Sequence, residues 1–375
     1  MDFVYSDEQV MLRDSVDRFG QDQWAPSNRR GVLAQGEEGA RERWREMAEL
    51  GWLMLPIAEA DGGLGGSAVD VMAMAEAMGR HLIVSPFVTS CVLVPALASG
   101  SGAAGELLAG IAAGETIAAA ALADSADDPD PAYGETRAER DRDGWRLTGA
   151  KPHVEDGADA GWFVVSARTS GAPGDRTGVA LFLVAADAAG LTVERFRSID
   201  AHRHAALVLD GVPAVALHED ALEIIEAALD RAVCAQLAEA TGSMEAAAAE
   251  TLGFLRTREQ FGAPIGSFQA LQHRMVDMTI ACEEARSMTY HATLNFERNA
   301  VERARAVAAG KVRVGQSGLY VGQQAVQLHG GVGFSEELIV SHHLRRQMML
   351  RLAFGSVDYH RARYAALPAS ASLAV

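Results

Sequence analysis

Positive charge is what this chain has least of. Its 33 lysines and arginines face 50 aspartates and glutamates, leaving a formal charge of −17. Such a surface repels nucleic acid and anionic lipid, so neither is an expected partner. Long apolar runs are also missing: none reaches the roughly 20 residues of a membrane span. The first residues, MDFVYSDEQ, have neither the basic region nor the apolar stretch of a secretory signal. Cysteine is sparse, and Cys91, Cys234 and Cys282 show no CxxC spacing. They read as reduced, buried thiols with no metal site attached. What remains is 49% hydrophobic and 22% charged, the profile of a globular protein, and its expected location is the cytoplasm.

The texture of the 375 residues changes twice. Residues 1–118 carry helical periodicity, with Val10, Met11, Leu12, Val16 and Phe19 recurring at three-to-four spacing. The segment DGGLGGS interrupts that pattern as a glycine-rich turn. Residues 119–217 hold short β-branched and aromatic runs such as GWFVVSART and GVALFLVAAD, punctuated by Gly, Pro and Asp. Residues 218–375 return to long, alanine-rich helical patterns. The expectation is an α+β protein: an N-terminal helical domain, a central β-barrel-like domain and a C-terminal helical bundle.

Two blocks in the third segment carry chemistry. The first runs Arg258-Glu-Gln260-Phe261-Gly262-Ala-Pro264-Ile265-Gly-Ser-Phe268-Gln269. The second, Gln327-Leu-His-Gly330-Gly331-Val-Gly333-Phe334, follows about 70 residues later. Singly, Gly330-Gly331 reads as a tight connection and Arg258 as a cation at a helix end. Together, at this spacing, they closely resemble the R-x-Q-F-G-x-P-I and Q-x-x-G-G-x-G-[FY] signatures of the acyl-CoA dehydrogenase family. The DGGLGGS turn, the helix bearing Glu76 and the α, β, α order extend the resemblance over essentially the whole chain. It implies the fold of that family, with a C-terminal four-helix bundle, and FAD as cofactor. Arg258 offers a planar, permanently charged fork for a pyrophosphate. Gln260 and Gln327 supply neutral donors and acceptors, and Gly330 and Gly331 allow a close backbone approach. By the resemblance, Arg258, Gln260, Phe261, Phe268, Gln269, Gln327, Gly330 and Gly331 hold the ADP half of an FAD whose flavin ring lies mainly in a neighbouring subunit.

The residues that would perform the family's chemistry are missing. Removing the α-proton of an acyl-CoA needs a carboxylate. Most members carry it in a Y-E-G-T-like segment, and counting 23 residues on from Gly331 lands on Phe354, beside Gly355. Other members place the base in an L-D-x-E-R-like segment; here that stretch is Leu229-Asp230-Arg231-Ala232-Val233, with alanine for the glutamate. Asp230 reads as structural, and Asp358 lies one helical turn beyond Phe354. The family's G-x-K-x-W-I-T segment, which contacts the flavin, appears as Gly149-Ala-Lys151-Pro152-His153-Val154-Glu155. The T-E-P-x-x-G-S-D stretch is not recognisable in Asp124-Ser125-Ala-Asp127-Asp128-Pro129. No catalytic residue is therefore assigned. His202, His204, His342 and His343 show no ligand spacing to Cys or carboxylates, so no metal is expected.

An intact arm beside a damaged pocket is useless in a homo-oligomer. In a hetero-oligomer the arm can complete a partner's pocket. The pattern resembles the α2β2 acyl-CoA dehydrogenases of bacterial steroid side-chain catabolism. The expectation is thus a non-catalytic, FAD-supporting subunit whose partners are a homologous subunit carrying the catalytic glutamate and an acyl-CoA substrate. The alternatives are a flavin monooxygenase of the same fold and a flavin-free structural member of the family.

Overall fold

The computed structural model describes residues 4–125, 128–142 and 144–368. In chain order they form α1 (Asp7–Gln23), α2 (Pro26–Ala34), α3 (Gly36–Glu49), α4 (Ala68–Arg80), α5 (Val94–Ala98) and α6 (Gly105–Ala112). Strands β1 (Ala118–Ala121), β2 (Arg137–Arg140), β3 (Trp145–Val154), β4 (Trp162–Arg168), β5 (Val179–Ala185), β6 (Leu191–Arg197) and β7 (Arg203–His218) follow. Then come α7 (Leu222–Thr257), the short strands β8 (Glu259–Gln260) and β9 (Ala263–Pro264), α8 (Gln269–Leu294), α9 (Ala300–His329), α10 (Ile339–Leu350) and α11 (Val357–Ala366). No described helix is long and apolar enough to cross a membrane.

Two compact units emerge, and neither is one continuous stretch of chain. The first gathers the described residues of Met1–Ala34, Ala68–Ile83 and Val233–Val375. Ser6 and Gln9 form a reciprocal cap that starts α1. Glycine permits the approach of α4 to α7: a Cβ on Gly79 would stand 1.9 Å from the Glu239 carbonyl oxygen, and one on Gly242 would stand 1.9 Å from that of Glu76. The core of this unit is built from small and medium side chains, among them Leu237, Met244, Met278, Ala285, Val307, Val314 and Val321. Buried Lys311 donates to Gln236 Oε1 (3.1 Å) and to the carbonyls of Leu350 and Ala353 (both 2.7 Å), satisfying acceptors left open at the end of α10.

The second unit gathers the described residues of Gln35–Ser67 and Val84–Ala232. Its sheet runs β1-β4-β2-β3-β7-β5, with β6 on β7 and a further β4–β5 pairing. Because β4 pairs both β2 and β5, the strands close on one another and leave few bare edges. Leu147, Val154, Phe163, Phe182, Leu207 and Leu209 fill the interior. Lys151 is fully buried there and paired with Asp124, and its Nζ also donates to the Leu122 carbonyl and Ser166 Oγ at 3.0 Å. Burial pulls its ammonium below the ordinary lysine range, while Asp124 opposes that shift.

Candidate functional site

The arm grows out of the end of α7. Phe254 accepts the backbone N–H of Arg258 at 2.8 Å, and the Arg258 carbonyl accepts Ile265 N at 2.8 Å. Between them β8 and β9 pair Glu259 with Pro264 and Gln260 with Ala263. That leaves a two-residue turn, Phe261-Gly262, with φ of 55° and 78°. Positive φ at both positions is what a tight hairpin turn of this twist demands. Glycine meets it freely, but phenylalanine is strained there. Phe261 is also 95% exposed, touching Phe268 edge-on at 6.2 Å. The Arg258 side chain makes no hydrogen bond or ion pair with another described residue and is exposed. Gln260 folds back so that its Nε2 donates to the Glu259 carbonyl (2.7 Å). Phe268 and Gln269, also exposed, open α8, whose first turn has no side-chain cap.

The second block closes α9. Gln327 is exposed on its last turn, and Gly330 takes φ 66°, ψ −148°, a conformation closed to side-chain-bearing residues. A Cβ on either Gly330 or Gly331 would meet nothing within 4 Å, so both present bare, open backbone. Gly333 is different, since a Cβ there would lie 2.4 Å from the Val326 carbonyl oxygen. The two blocks abut: Phe254, one turn before Arg258, stacks on His329, the neighbour of Gly330, at 4.3 Å. The signature residues gave no warning of that stack. All eight expected cofactor residues are exposed on this one unit. Beside them an open groove of about 550 Å3 is lined by Leu252, Leu255, Pro264, Met275, Val276 and Ile280.

The positions expected to hold a base hold none. Phe354 is half-buried against the helical core, at φ 53°, with its carbonyl facing His360 Nε2 at 3.0 Å. Ala232 and Val233 are buried. Asp358 is 76% exposed and paired with Arg361 at 2.7 Å, so its carboxylate is turned to solvent and engaged by a neighbouring guanidinium. Within Asp124–Pro129, Asp127 lies outside the described residues, while Asp124 is occupied by Lys151 and by Thr136 N at 2.5 Å.

The expectation that the histidines stand apart from carboxylates does not hold for two of them. His202 and His204 do stand at bonding distance from carboxylates: His202 Nδ1 is 2.8 Å from Asp156 Oδ1, and His204 Nδ1 is 3.2 Å from Glu155 Oε2. His153 Nε2 is 3.2 Å from Glu155 Oε1. Linear spacing hid the His202 and His204 contacts because those partners lie nearly 50 residues apart and meet only through β3–β7 pairing, which sets Val154 opposite Ala205. The hydrogen bond to Glu155 raises His153's pKa, and burial lowers that of His204. Burial works to raise Glu155's, yet the hydrogen bond with His153 and the charge of His204 hold it below the ordinary carboxylate range.

Comparisons with known proteins cover the chain end to end. Residues 6–115, 119–212 and 222–366 match the N-terminal, middle and C-terminal domain models of acyl-CoA dehydrogenase. A solved structure of a variant of the Tcur3481-Tcur3483 steroid ACAD is 30% identical, with 96% of this chain and 97% of that chain covered and a TM-score of 0.86. One of the ChsE4-ChsE5 complex from Mycobacterium tuberculosis is 27% identical, with 98% and 100% covered and a TM-score of 0.88. The probable acyl-CoA dehydrogenase YngJ of Bacillus subtilis is 26% identical over 96% of this chain and 98% of its own length.

Proposed function

Since the chain belongs to the acyl-CoA dehydrogenase family, whose members are FAD flavoproteins, we propose that it is the non-catalytic, FAD-supporting subunit of a heteromeric acyl-CoA dehydrogenase. Its partner is a homologous subunit that carries the catalytic glutamate. The substrate is an acyl-CoA thioester, and the two steroid-type and heteromeric relatives favour a steroid side-chain CoA ester.

One observation carries this reading. The arm spends strain and exposes a phenyl ring at Phe261 while Arg258 points a bare guanidinium at solvent, and neither feature benefits the isolated chain. Residues kept in that state serve something docked against them. The donor set suits the ADP half of FAD: Arg258 for the pyrophosphate, Gln260 and Gln327 for ribose or adenine edges, Gly330-Gly331 for close approach, and the Phe268 ring as an apolar wall. When bound, the flavin supplies the hydride acceptor of α,β-desaturation. This chain's part is to bind and orient the cofactor, because Phe354 cannot take a proton and Asp358 is committed to Arg361 in solvent.

The test is Arg258→Ala in the complex co-purified with its partner. A charge-assisted bidentate contact is worth about 1.5–3 kcal/mol, so FAD affinity should fall roughly ten- to a hundred-fold with assembly intact by size exclusion. Arg258→Lys should rescue only in part, keeping the charge and losing the fork. Unchanged flavin content in Arg258→Ala would remove the main support for the reading.

A further inference from the structure

Near the end of β3 the register shifts between Lys151 and Val154, and Val154 then faces Ala205 of β7. That register sets Glu155 opposite His204, while His153, two residues back, shares the face of Glu155. One ligand atom from each of the three lies within 4.8 Å of the others. Both contacts of Glu155 are 3.2 Å, one from each carboxylate oxygen. Ligand atoms bonded at about 2.0–2.1 Å to one tetrahedral ion stand roughly 3.3 Å apart, so each imidazole already stands at that spacing from one Glu155 oxygen, with the whole set within 4.8 Å.

The interior partner is the informative one. His204 is 1% exposed. Its Nδ1 lies 3.3 Å from the Asp156 backbone N–H, which calls for a lone pair, and 3.2 Å from Glu155 Oε2, which calls for a cation or a proton between them. Its Nε2 is buried with no hydrogen-bond partner. A neutral ring cannot match all three surroundings with its single proton. The backbone beside the cluster is held in place: Asp156 accepts from Thr89 Oγ1 (3.0 Å) and stands 2.8 Å from His202 Nδ1, which sets its N–H against His204. Phe196 walls the cluster, with ring centroids 5.8 Å from His153 and 5.7 Å from His204. The His153 side chain is 37% exposed, giving water and ions a way in.

We propose that His153, Glu155 and His204 bind one divalent transition-metal cation, with water completing its coordination. Two imidazoles and one carboxylate suit zinc, cobalt or nickel and are poor ligands for magnesium or calcium. The site needs neither flavin nor a second subunit, so it stands or falls separately from the supporting-subunit reading.

The experiment uses the full chain, stripped with EDTA and titrated with zinc chloride by calorimetry, then with cobalt chloride while its visible absorption reports coordination number. One zinc per chain is expected, displaced competitively by cobalt, and magnesium should neither bind there nor displace zinc. His153→Phe keeps an aromatic ring against Phe196 at a half-exposed position, so the fold should survive; it and Glu155→Gln should each weaken zinc binding more than about tenfold. His291→Ala, at an exposed position of α8, should change nothing. The absence of saturable zinc uptake by the unaltered chain would overturn the proposal. So would uptake that His153→Phe and Glu155→Gln leave untouched, since zinc would then sit on other surface histidines.

Discussion

Two buried histidines tie this protein's stability to pH. His343 is 1% exposed and held at Nδ1 by Ser243 Oγ (2.9 Å). His360 is 2% exposed and bonded to the Phe354 carbonyl, with its Nδ1 buried and unmatched. Burial pushes each imidazole down to about 3, helped by Arg29 at His343 and by Lys311 at His360. Both are neutral when folded, whereas an unfolded histidine takes a proton near 6.5. Below that value the unfolded state binds more protons, so stability present at pH 7 is lost as pH falls toward 3. At pH 5 each histidine should remove about 2 kcal/mol. In urea titrations at pH 7 and pH 5, His343→Leu should show a smaller drop than the unaltered chain. Equal drops would mean that His343 is protonated in the native state. Nothing in the pattern SHHLRR distinguishes the buried His343 from its half-buried neighbour His342, because burial is decided by which face of α10 meets α7. The arm residues were nameable one by one, yet their common exposure and the left-handed φ of Phe261 depend on a turn type that Phe261 itself argues against.

Elements show where pattern suffices and where it fails. Helical periodicity picks out α1, where Val16 and Phe19 are buried as that spacing predicts while Met11, also in the pattern, is 71% exposed, because packing rewards only one face. Short apolar runs bounded by Gly, Pro and Asp became β4 and β5 for the analogous reason in a sheet. The β3–β7 register was not legible, since a bulge shifts pairing without leaving a mark in composition. The His153–Glu155–His204 cluster was hidden with it. The β8–β9 hairpin yields a prediction of its own. Asparagine tolerates positive φ far better than phenylalanine. Phe261→Asn should therefore leave the lone chain as stable as before or more stable, by up to about 1 kcal/mol in urea titrations. The same change should weaken partner association roughly ten- to a hundred-fold, because about 1.5–3 kcal/mol of apolar burial is lost. A destabilised lone chain with unchanged association would place the phenyl ring in service of this fold alone.

At the scale of the whole molecule the question is how many cofactors an assembly holds. The α, β, α order was legible because each texture lasts about 100 residues. The grouping of α1, α2 and α4 with the C-terminal helices was not, since it depends on contacts between segments more than 150 residues apart in the chain. The cofactor count follows from pairing an arm with a pocket. If this chain's arm completes a partner's flavin site, each heterodimer gains one FAD. The reciprocal site would use this chain's own flavin segment, where the family's Trp and Thr are replaced by His153 and Glu155. There the side chains of His153 and Glu155 are turned to each other and to His204, so the segment offers the isoalloxazine ring neither an indole wall nor a neutral hydroxyl. The reciprocal site should therefore stay without flavin. Flavin absorbance of the denatured complex, set against total protein and a mass from light scattering, should give one FAD for every pair of unlike chains. A ratio near one per chain would mean that the His153–Glu155 segment accepts flavin after all, and the asymmetry on which the supporting role rests would be gone.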